Sequence, residues 1–279
     1  MLDGCGGLGE LMRSWVRRKI EVPRLRRLEN ETTDINPPLG APTVFHITHW
    51  KSGSQWVRGV LENVAPRRLI HPAADMAEVK NDLLVPGAVY SPVYMASQWF
   101  FQQVNDAPSH RYVLVIRDLR DAAVSWYFSM RYSHGLNDTV AEARAKLEEM
   151  DFDDGMVYII EERLSGFADI QLSWLRRPEG SRLLVRYEDL IADEHREFDK
   201  IFDHCAFDAT PRQRRAAVKN ESFRKKTGRS RGKEKVSSHH RKGVSGDWRN
   251  HFSDRARAAF KDRYGELLVE TGYERGLDW

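Results

Sequence analysis

Lys51-Ser52-Gly53-Ser54-Gln55 gathers in five residues what an oxyanion needs from a protein. Gly53 allows a close backbone approach, Ser52, Ser54 and Gln55 add neutral donors, and Lys51 adds a mobile full charge. The loop follows an apolar, β-branched run (Thr43, Val44, Phe45, Ile47) and precedes a run whose apolar residues fall at helical spacing. A helix that starts there turns its unpaired N–H groups and the positive end of its dipole toward the loop. Together these features make a phosphate cradle, although small polar residues at a helix start also serve as a plain cap. The signature G-x-x-x-x-G-K-[ST] is absent, because the lysine precedes the glycine and Thr48 stands five residues before Gly53. That disfavours a conventional nucleotide triphosphatase.

Three further clusters carry chemistry. RYVLVIRDLRDAAVSWYF places Arg117 at the end of a strand-like run and Ser125 eight residues later, a little over two helical turns on. A strand-end arginine can fork onto a phosphate, and a serine on the adjoining helix can donate to the same group. The plainer role for Arg117 is an ion pair with Asp118 or Asp121. RLLVRYEDL ends a strand in an aromatic, Tyr187, before an acidic helix start. HHRKGVSGDWRNHF holds Arg241, Lys242 and Gly243, a compact anion site of two cations and a glycine.

The elements that must position these clusters alternate. Strand-like runs at 43–48, 87–91, 111–117 and 182–187 are separated by helical segments at 54–64, 119–132, 156–175 and 188–204. That order predicts a single α/β domain with a mostly parallel central sheet flanked by helices, in which the strand-loop-helix around Lys51 is P-loop-like. Ligands bind where loops leave the carboxyl ends of such strands. A last helix is expected from a Ser253 N-cap to Gly272, and Asp138 to Asp154 reads as a surface helix and loop. Residues 1–40 read as a basic N-terminal arm broken at Pro23, docked or loose, with membrane-surface contact the less favoured role. Residues 41–279 read as the domain.

In 279 residues, 41% hydrophobic and 10% aromatic composition supplies a sizeable core, while 30% charge and a mean hydropathy of -0.60 keep the surface polar. Two cysteines, Cys5 and Cys205, are too few for a disulfide framework or a zinc site of ordinary spacing, and no metal is expected. No stretch approaches the roughly 18 to 20 apolar residues of a spanning helix. The first ten residues lack the cationic and apolar regions of a secretory signal, so a cytoplasmic enzyme is expected. The net charge of +3 is unevenly spread. Residues 211–242 carry 13 Lys/Arg against Glu221 and Glu234, so the remainder is net acidic. That asymmetry fits an anionic ligand, nucleic acid or an anionic surface, or simply a solvated basic loop.

Taken in order, the four clusters resemble the cytosolic sulfotransferase family, which uses 3′-phosphoadenosine 5′-phosphosulfate, and the similarity runs from about residue 41 to the C-terminus. The family's lysine-serine-glycine loop with its tryptophan is matched by Lys51 through Trp56, and its arginine and serine eight apart by Arg117 and Ser125. Tyr187 matches the tyrosine before Glu-Asp-Leu, and Arg241 through Trp248 match the late R-K-G-x-x-G-D-W run. The resemblance implies that Ser52, Gly53, Ser54 and Gln55 bind the 5′-phosphate and that Trp56 stacks on adenine. It implies that Arg117, Ser125, Arg241, Lys242 and Gly243 clamp the 3′-phosphate, with Tyr187, Ser222 and Phe223 around the base. Lys51 is then the catalytic cation at the bridging oxygen. The sulfuryl group passes in line to a hydroxyl or amine of a small molecule, glycan or lipid, leaving 3′-phosphoadenosine 5′-phosphate.

The resemblance breaks at the general base. Family members carry a Lys-Thr-His-Leu-Pro-like run whose histidine takes that role; here Tyr90, Ser91, Pro92 and Tyr94 occupy the stretch and no histidine does. His49, His71 and Glu78 are weak replacements. Trp50 replaces the proline before the lysine, and Gln55 replaces a hydroxyl residue. The family's C-terminal dimer motif is missing at Arg249, Ser253-Asp254 and Ala258, so no dimer by that route is implied. Tyr90, Tyr94, Trp99, Phe100 and Phe101 fit either an apolar acceptor wall or a core helix. The leading reading needs neither a nucleic-acid partner nor a transmembrane segment. Beside it stand a catalytically impaired nucleotide-binding homologue, a nucleotide-kinase-like phosphotransferase, and a nucleic-acid-binding protein using residues 211–242.

Overall fold

A run of apolar, β-branched residues is stable as a strand when both of its faces are covered, and β1 (Thr43–Thr48) is buried along its whole length. The computed structural model describes residues 35–279 except Ala74, Asp75, Leu136, Glu179 and Ser181, so residues 1–34 of the expected N-terminal arm lie outside the described residues. With β2 (Leu69–Ile70), β3 (Val89–Val93), β4 (His110–Ile116) and β5 (Arg182–Arg186), β1 forms a five-stranded sheet in the order β2-β3-β1-β4-β5. Every pairing is parallel. The order reverses at β1, with β3 on one side and β4 on the other. This is the switch point beside which an α/β sheet opens a crevice.

Alternate residues of a strand serve opposite faces, and β1 and β4 follow that rule. Val44, Val113 and Val115 pack with α1 (Ser54–Val64), α8 (Glu194–His204) and α9 (Pro211–Glu221). Phe45, Ile47, Tyr112, Leu114 and Ile116 pack with α2 (Ser97–Gln103) and α6 (Ser165–Leu175), through Phe100 and Trp174. Each fully buried aliphatic or aromatic side chain of this kind contributes about 1.5–3 kcal/mol. A third cluster joins α3 (Leu119–Phe128), α4 (Asp138–Glu149), α5 (Phe152–Arg163) and α11 (Asp254–Glu270). At its edge the buried Arg120 forks onto Asp118 (2.7 Å) and reaches Glu274 (2.6 Å). The Arg120 guanidinium lies against the rings of both Trp248 and Trp279, 4.0 and 4.4 Å from their centroids, where the two indoles meet edge-on.

The expected alternation, parallel sheet and terminal helix are present, and Ser253 caps α11 through Ala256 N. Several boundaries differ. β3 runs through Pro92 instead of ending at Ser91, and the β1–β3 register shifts between Phe45 and Ile47, which accommodates a strand residue with no N–H to give. The helix expected over 156–175 is two helices meeting at Leu164, next to Ser165-Gly166, where helix propensity is low. The helix expected over 188–204 is α7 (Tyr187–Ala192) and α8, separated by Asp193, whose carboxylate caps the second through Arg196 N. The helix expected over 119–132 is α-helical only to Phe128; Ser129–Ser133 is a π-helical turn.

Candidate functional site

The loop between β1 and α1 turns on two left-handed residues, Lys51 (φ 67) and Gly53 (φ 87). A Cβ on Gly53 would lie 2.9 Å from the Tyr187 ring, so glycine is required by contact as well as by conformation. Ser52 is buried and turns its hydroxyl inward, donating to His49 O (2.7 Å) and touching Thr48 Oγ1. Thr48 Oγ1 in turn donates to Val115 O on β4 (3.0 Å). These bonds fix the loop on the sheet edge. The first helical bond of α1 runs from Val57 N to Gly53 O, so the amides of Ser54, Gln55 and Trp56 have no intrahelical partner, and no side chain caps the helix. Ser54 Oγ lies 2.8 Å from the Tyr94 hydroxyl, and Gln55 Nε2 lies 3.5 Å from it.

Arg117 leaves the end of β4 and is buried beside this loop. Its Nη1 donates to Lys51 O and its Nη2 to Val244 O, both at 3.0 Å, and the guanidinium sits 4.4 Å from the Tyr187 ring centroid. One side chain thus ties the phosphate-type loop to the 241–246 segment. The nearby carboxylate is Asp121, at 3.9 Å; Asp118 pairs with Arg120 instead. Asp121 also accepts from Gly246 N (2.6 Å) and Trp248 N (2.9 Å), which docks the late segment on α3.

Lys51 Nζ donates to Ser129 Oγ at 3.2 Å. Burial, with Arg117 and Arg241 close by, lowers the Lys51 ammonium to about 7. Arg241 and Lys242 both hold Asp247, at 2.6 and 2.5 Å, and Arg241 also pairs with Glu234. Burial acts to raise Asp247, yet its bonds from Lys242, Asn250 and Arg241 hold the carboxyl well below the usual range. Gly243 (φ 68) faces the Phe223 ring so closely that a Cβ would lie 2.7 Å from it. Trp56 is edge-on to Tyr187 and Phe198, with Arg231 4.9 Å from its ring centroid.

The structure therefore brings together Lys51 through Trp56, Arg117, Tyr187 and Arg241, and it sets Phe223 against Gly243. Ser222 is spent locally, donating to Lys219 O (2.9 Å) at the end of α9. Ser125 is half-buried on α3, one turn before Ser129, and its hydroxyl has no partner among the described residues.

Of the three histidine and glutamate positions considered for the base, His49 is fully buried with both ring nitrogens engaged. Nδ1 bonds Trp50 O (2.8 Å), while Nε2 lies 2.9 Å from Gln171 Nε2 and 3.3 Å from Arg117 N. Burial dominates its lowering to about 4, opposed by the Trp50 bond and aided by Arg117. His71 is exposed beside β2 with Nδ1 near Ser91 O (3.2 Å), and Glu78 accepts from Ala73 N (2.8 Å). Tyr90 and Phe100 are wholly inside the core and cannot line an acceptor pocket. Tyr94 instead stacks on Trp50 (4.7 Å, 9°), with Trp126 and Phe167 against the indole, so an aromatic wall stands next to Lys51.

Five contributors escaped the sequence reading: Tyr94 as the Ser54 partner, Ser129, Gln171, Arg231 and Asp247. Asp247 lies inside the R-K-G-V-S-G-D-W run and Ser129 one helical turn after Ser125, so both had a local signal. Gln171 reaches His49 across 122 residues and had none.

A family model described as the sulfotransferase domain matches residues 41–272. The chain is 24% identical over 252 residues to Sulfotransferase 1E1 of Rattus norvegicus, covering 78% of this chain and 80% of that protein. Among solved structures it is similar to mouse sulfotransferase SULT7A1 complexed with PAP, with a TM-score of 0.63, 18% identity, and coverage of 88% of this chain and 90% of that one. It is also similar to retinol dehydratase in a complex with retinol and PAP, with a TM-score of 0.55, 18% identity and coverage of 85% and 84%. Among the described residues no helix is long and apolar enough to cross a membrane, and no three His, Cys, Asp or Glu side chains gather as a metal site.

Proposed function

This chain belongs to the sulfotransferase family, and from that premise we propose that it moves a sulfuryl group from 3′-phosphoadenosine 5′-phosphosulfate to a hydroxyl or amine of a small acceptor by in-line displacement. The observation that carries this reading is the gathering of Lys51, Arg117 and Arg241 at the uncapped start of α1: Arg117 donates to Lys51 O at 3.0 Å, and burial first, then the charges of Arg117 and Arg241, lower the lysine's proton affinity. Cations so packed are stabilised by an anion placed among them.

The donors present fit that nucleotide. Arg117 Nε and Trp56 Nε1 are buried without partners among the described residues, and the first amides of α1 face the same loop. On this reading the amides of Ser52 to Gln55, with the Ser54 and Gln55 side chains, hold the 5′-phosphate. Arg117, Ser125, Arg241, Lys242 and Gly243 hold the 3′-phosphate. Trp56, Tyr187, Ser222 and Phe223 surround the base. When bound, the nucleotide supplies the sulfuryl group. Lys51 neutralises charge that builds on the leaving oxygen, and the fixed loop holds the reactants in line. Trp50, Tyr94 and Trp126 offer a flat apolar wall beside Lys51, which supports an acceptor with an apolar body, as retinol is in the related dehydratase structure. A cytoplasmic location belongs to the same reading.

Calorimetric titration with adenosine 3′,5′-bisphosphate, beside ATP and AMP, tests it. Tight binding of the bisphosphate alone, weakened by Lys51→Ala, is the expected result. Absence of bisphosphate binding would sink the assignment.

A further inference from the structure

We propose that His134 takes the proton of the acceptor hydroxyl during transfer, the role for which the Tyr90–Tyr94 stretch supplies no histidine. The proposal rests on the sulfotransferase reading above.

His134 ends the π-helical turn that continues α3. Its N–H closes that turn on Ser129 O at 2.7 Å. Single π turns inside helices recur at functional sites because the extra residue re-aims the side chains around it. This one is held in place: Arg144 donates from Nε to Met130 O (2.8 Å) and from Nη2 to His134 O (3.0 Å). The His134 ring packs edge-on against Trp126, with centroids 5.3 Å apart, which puts it at the aromatic wall.

The position relative to Lys51 is what singles His134 out. Its Nδ1 lies 3.4 Å from Ser129 Oγ, and the same oxygen accepts from Lys51 Nζ at 3.2 Å. The lysine and the imidazole therefore stand on either side of one buried hydroxyl. An in-line displacement needs that relation. The attacking and leaving oxygens sit on opposite sides of one sulfur, so the base for the first and the cation for the second must lie a few ångströms apart.

Other histidines lack this arrangement. His49 has both nitrogens bonded, and His46 is sealed inside the sheet against Ser91. His239 and His240 also lie near enough to Lys51 for its charge to act on them, but they are exposed, pack on each other and do not share the Ser129 hydroxyl with the lysine. The charged and titratable groups that face His134 are Lys51 from the β1–α1 loop, Arg144 from α4 and His239 from the late segment. Burial first, then Lys51 and Arg144, lower its proton affinity, so the ring is neutral at pH 7.

In the tautomer that donates Nδ1–H to Ser129 Oγ, Nε2 keeps a free lone pair. The acceptor's hydroxyl proton passes to Nε2 while a lone pair of that oxygen forms the new O–S bond. The S–O bond to the phosphate breaks, and its electron pair stays on the phosphate oxygen beside Lys51. The proton then leaves His134 for solvent.

His134→Asn keeps an N–H near Ser129 Oγ and removes the base. The probes are phenols of graded acidity, from phenol to p-nitrophenol, with 3′-phosphoadenosine 5′-phosphosulfate as donor; release of sulfate to water is read in the same samples. The expected loss in kcat with phenol is about 10²- to 10⁴-fold. It shrinks toward p-nitrophenol, which is mostly ionised at pH 8 and in that form needs no base, and the acid limb of the wild-type pH profile disappears. Two readouts need no turnover. Bisphosphate affinity is unchanged in the variant, and the His134 imidazole, assigned by its loss from NMR spectra in His134→Asn, titrates below an ordinary imidazole and moves up in Lys51→Ala. Loss that is uniform across the phenols, unaltered kcat, or a His134 titration indifferent to Lys51→Ala overturns the proposal. So does a wild-type chain that binds the bisphosphate yet transfers to neither phenols nor water. Failure of bisphosphate binding itself overturns the sulfotransferase reading, and this proposal with it.

Discussion

Gly53→Ala separates backbone strain from ligand geometry at the site. Gly53 has φ 87 and ψ 17, a left-handed conformation that costs a residue with a Cβ about 1–2 kcal/mol. The added methyl meets Tyr187 Cδ2 at 2.9 Å and Cε2 at 3.0 Å. That ring is itself fixed, 8% exposed and backed by the Arg117 guanidinium, so overpacking adds about 1–3 kcal/mol. Restricting the unfolded chain returns about 0.4–1 kcal/mol. The net expectation is destabilisation of about 2–4 kcal/mol. Gly40→Ala is the control, because Gly40 has φ 78 with nothing within 4 Å of a Cβ, so strain acts alone and the loss is about 1 kcal/mol. Urea unfolding measures both, with m unchanged and the midpoint shifted. Bisphosphate titration of the two variants follows; Gly53→Ala is expected to bind at least about tenfold more weakly, since the Tyr187 and Arg117 positions both move, and Gly40→Ala as wild type. Equal destabilisation of the two variants, or wild-type affinity in Gly53→Ala, refutes the account of the loop.

Lys51→Ala is expected to lower kcat by about 10²- to 10³-fold, or about 3–4 kcal/mol in the transition state, while thermal unfolding shows a folded chain; near-normal turnover removes Lys51 from the reaction. In the chain without nucleotide, Lys51 loses its proton near pH 7, and an anion beside it raises that value. Above about pH 7, binding therefore takes up a proton, and affinity falls with rising pH by at most about tenfold per unit. Titration at pH 8 in buffers of different ionisation heat counts the proton, and identical apparent enthalpies remove the linkage. Arg120→Ala leaves Asp118 and Glu274 without their cation and removes the guanidinium that packs on both Trp248 and Trp279. A loss of about 3–5 kcal/mol is expected in denaturant unfolding. Arg120→Lys recovers less than half of it, because an ammonium neither forks nor stacks; full recovery would mean that charge alone matters there.

The sheet was legible because β1 and β4 are unbroken apolar runs, and a strand covered on both faces has no other way to be written. Lys51 through Trp56, Arg117 and Arg241 stood out in the sequence as candidates because each combines a cation or small donor with an element boundary, and the fold sets them side by side. Tyr90 and Phe100 fitted pocket wall and core equally in the sequence, since an aromatic beside a binding loop and an aromatic in the core have the same letter; burial against the sheet decides for the core. The π-helical turn at Ser129–Ser133 leaves no composition mark, and it alone sets Ser129 and His134 around Lys51. Asp247 was visible only as part of a motif, and its pairing with Arg241 and Lys242 is a tertiary fact.

That pairing changes what anion capture means here. Arg241 and Lys242 already hold a carboxylate, so on the proposed reading the 3′-phosphate enters an exchange of partners with Asp247 instead of filling a bare pair of cations. A singly charged visitor offers the pair no more than Asp247 gives it at no translational cost. A phosphate dianion offers roughly twice the charge and three oxygens. On that reading the internal carboxylate sets a valence threshold against chloride and small carboxylates, and Asn250 Nδ2, which donates to Asp247 at 3.0 Å, keeps a bond to it after the exchange. It also makes capture less sensitive to salt than a count of the local cations suggests, because a cation neutralised from within sheds little counterion when its partner changes.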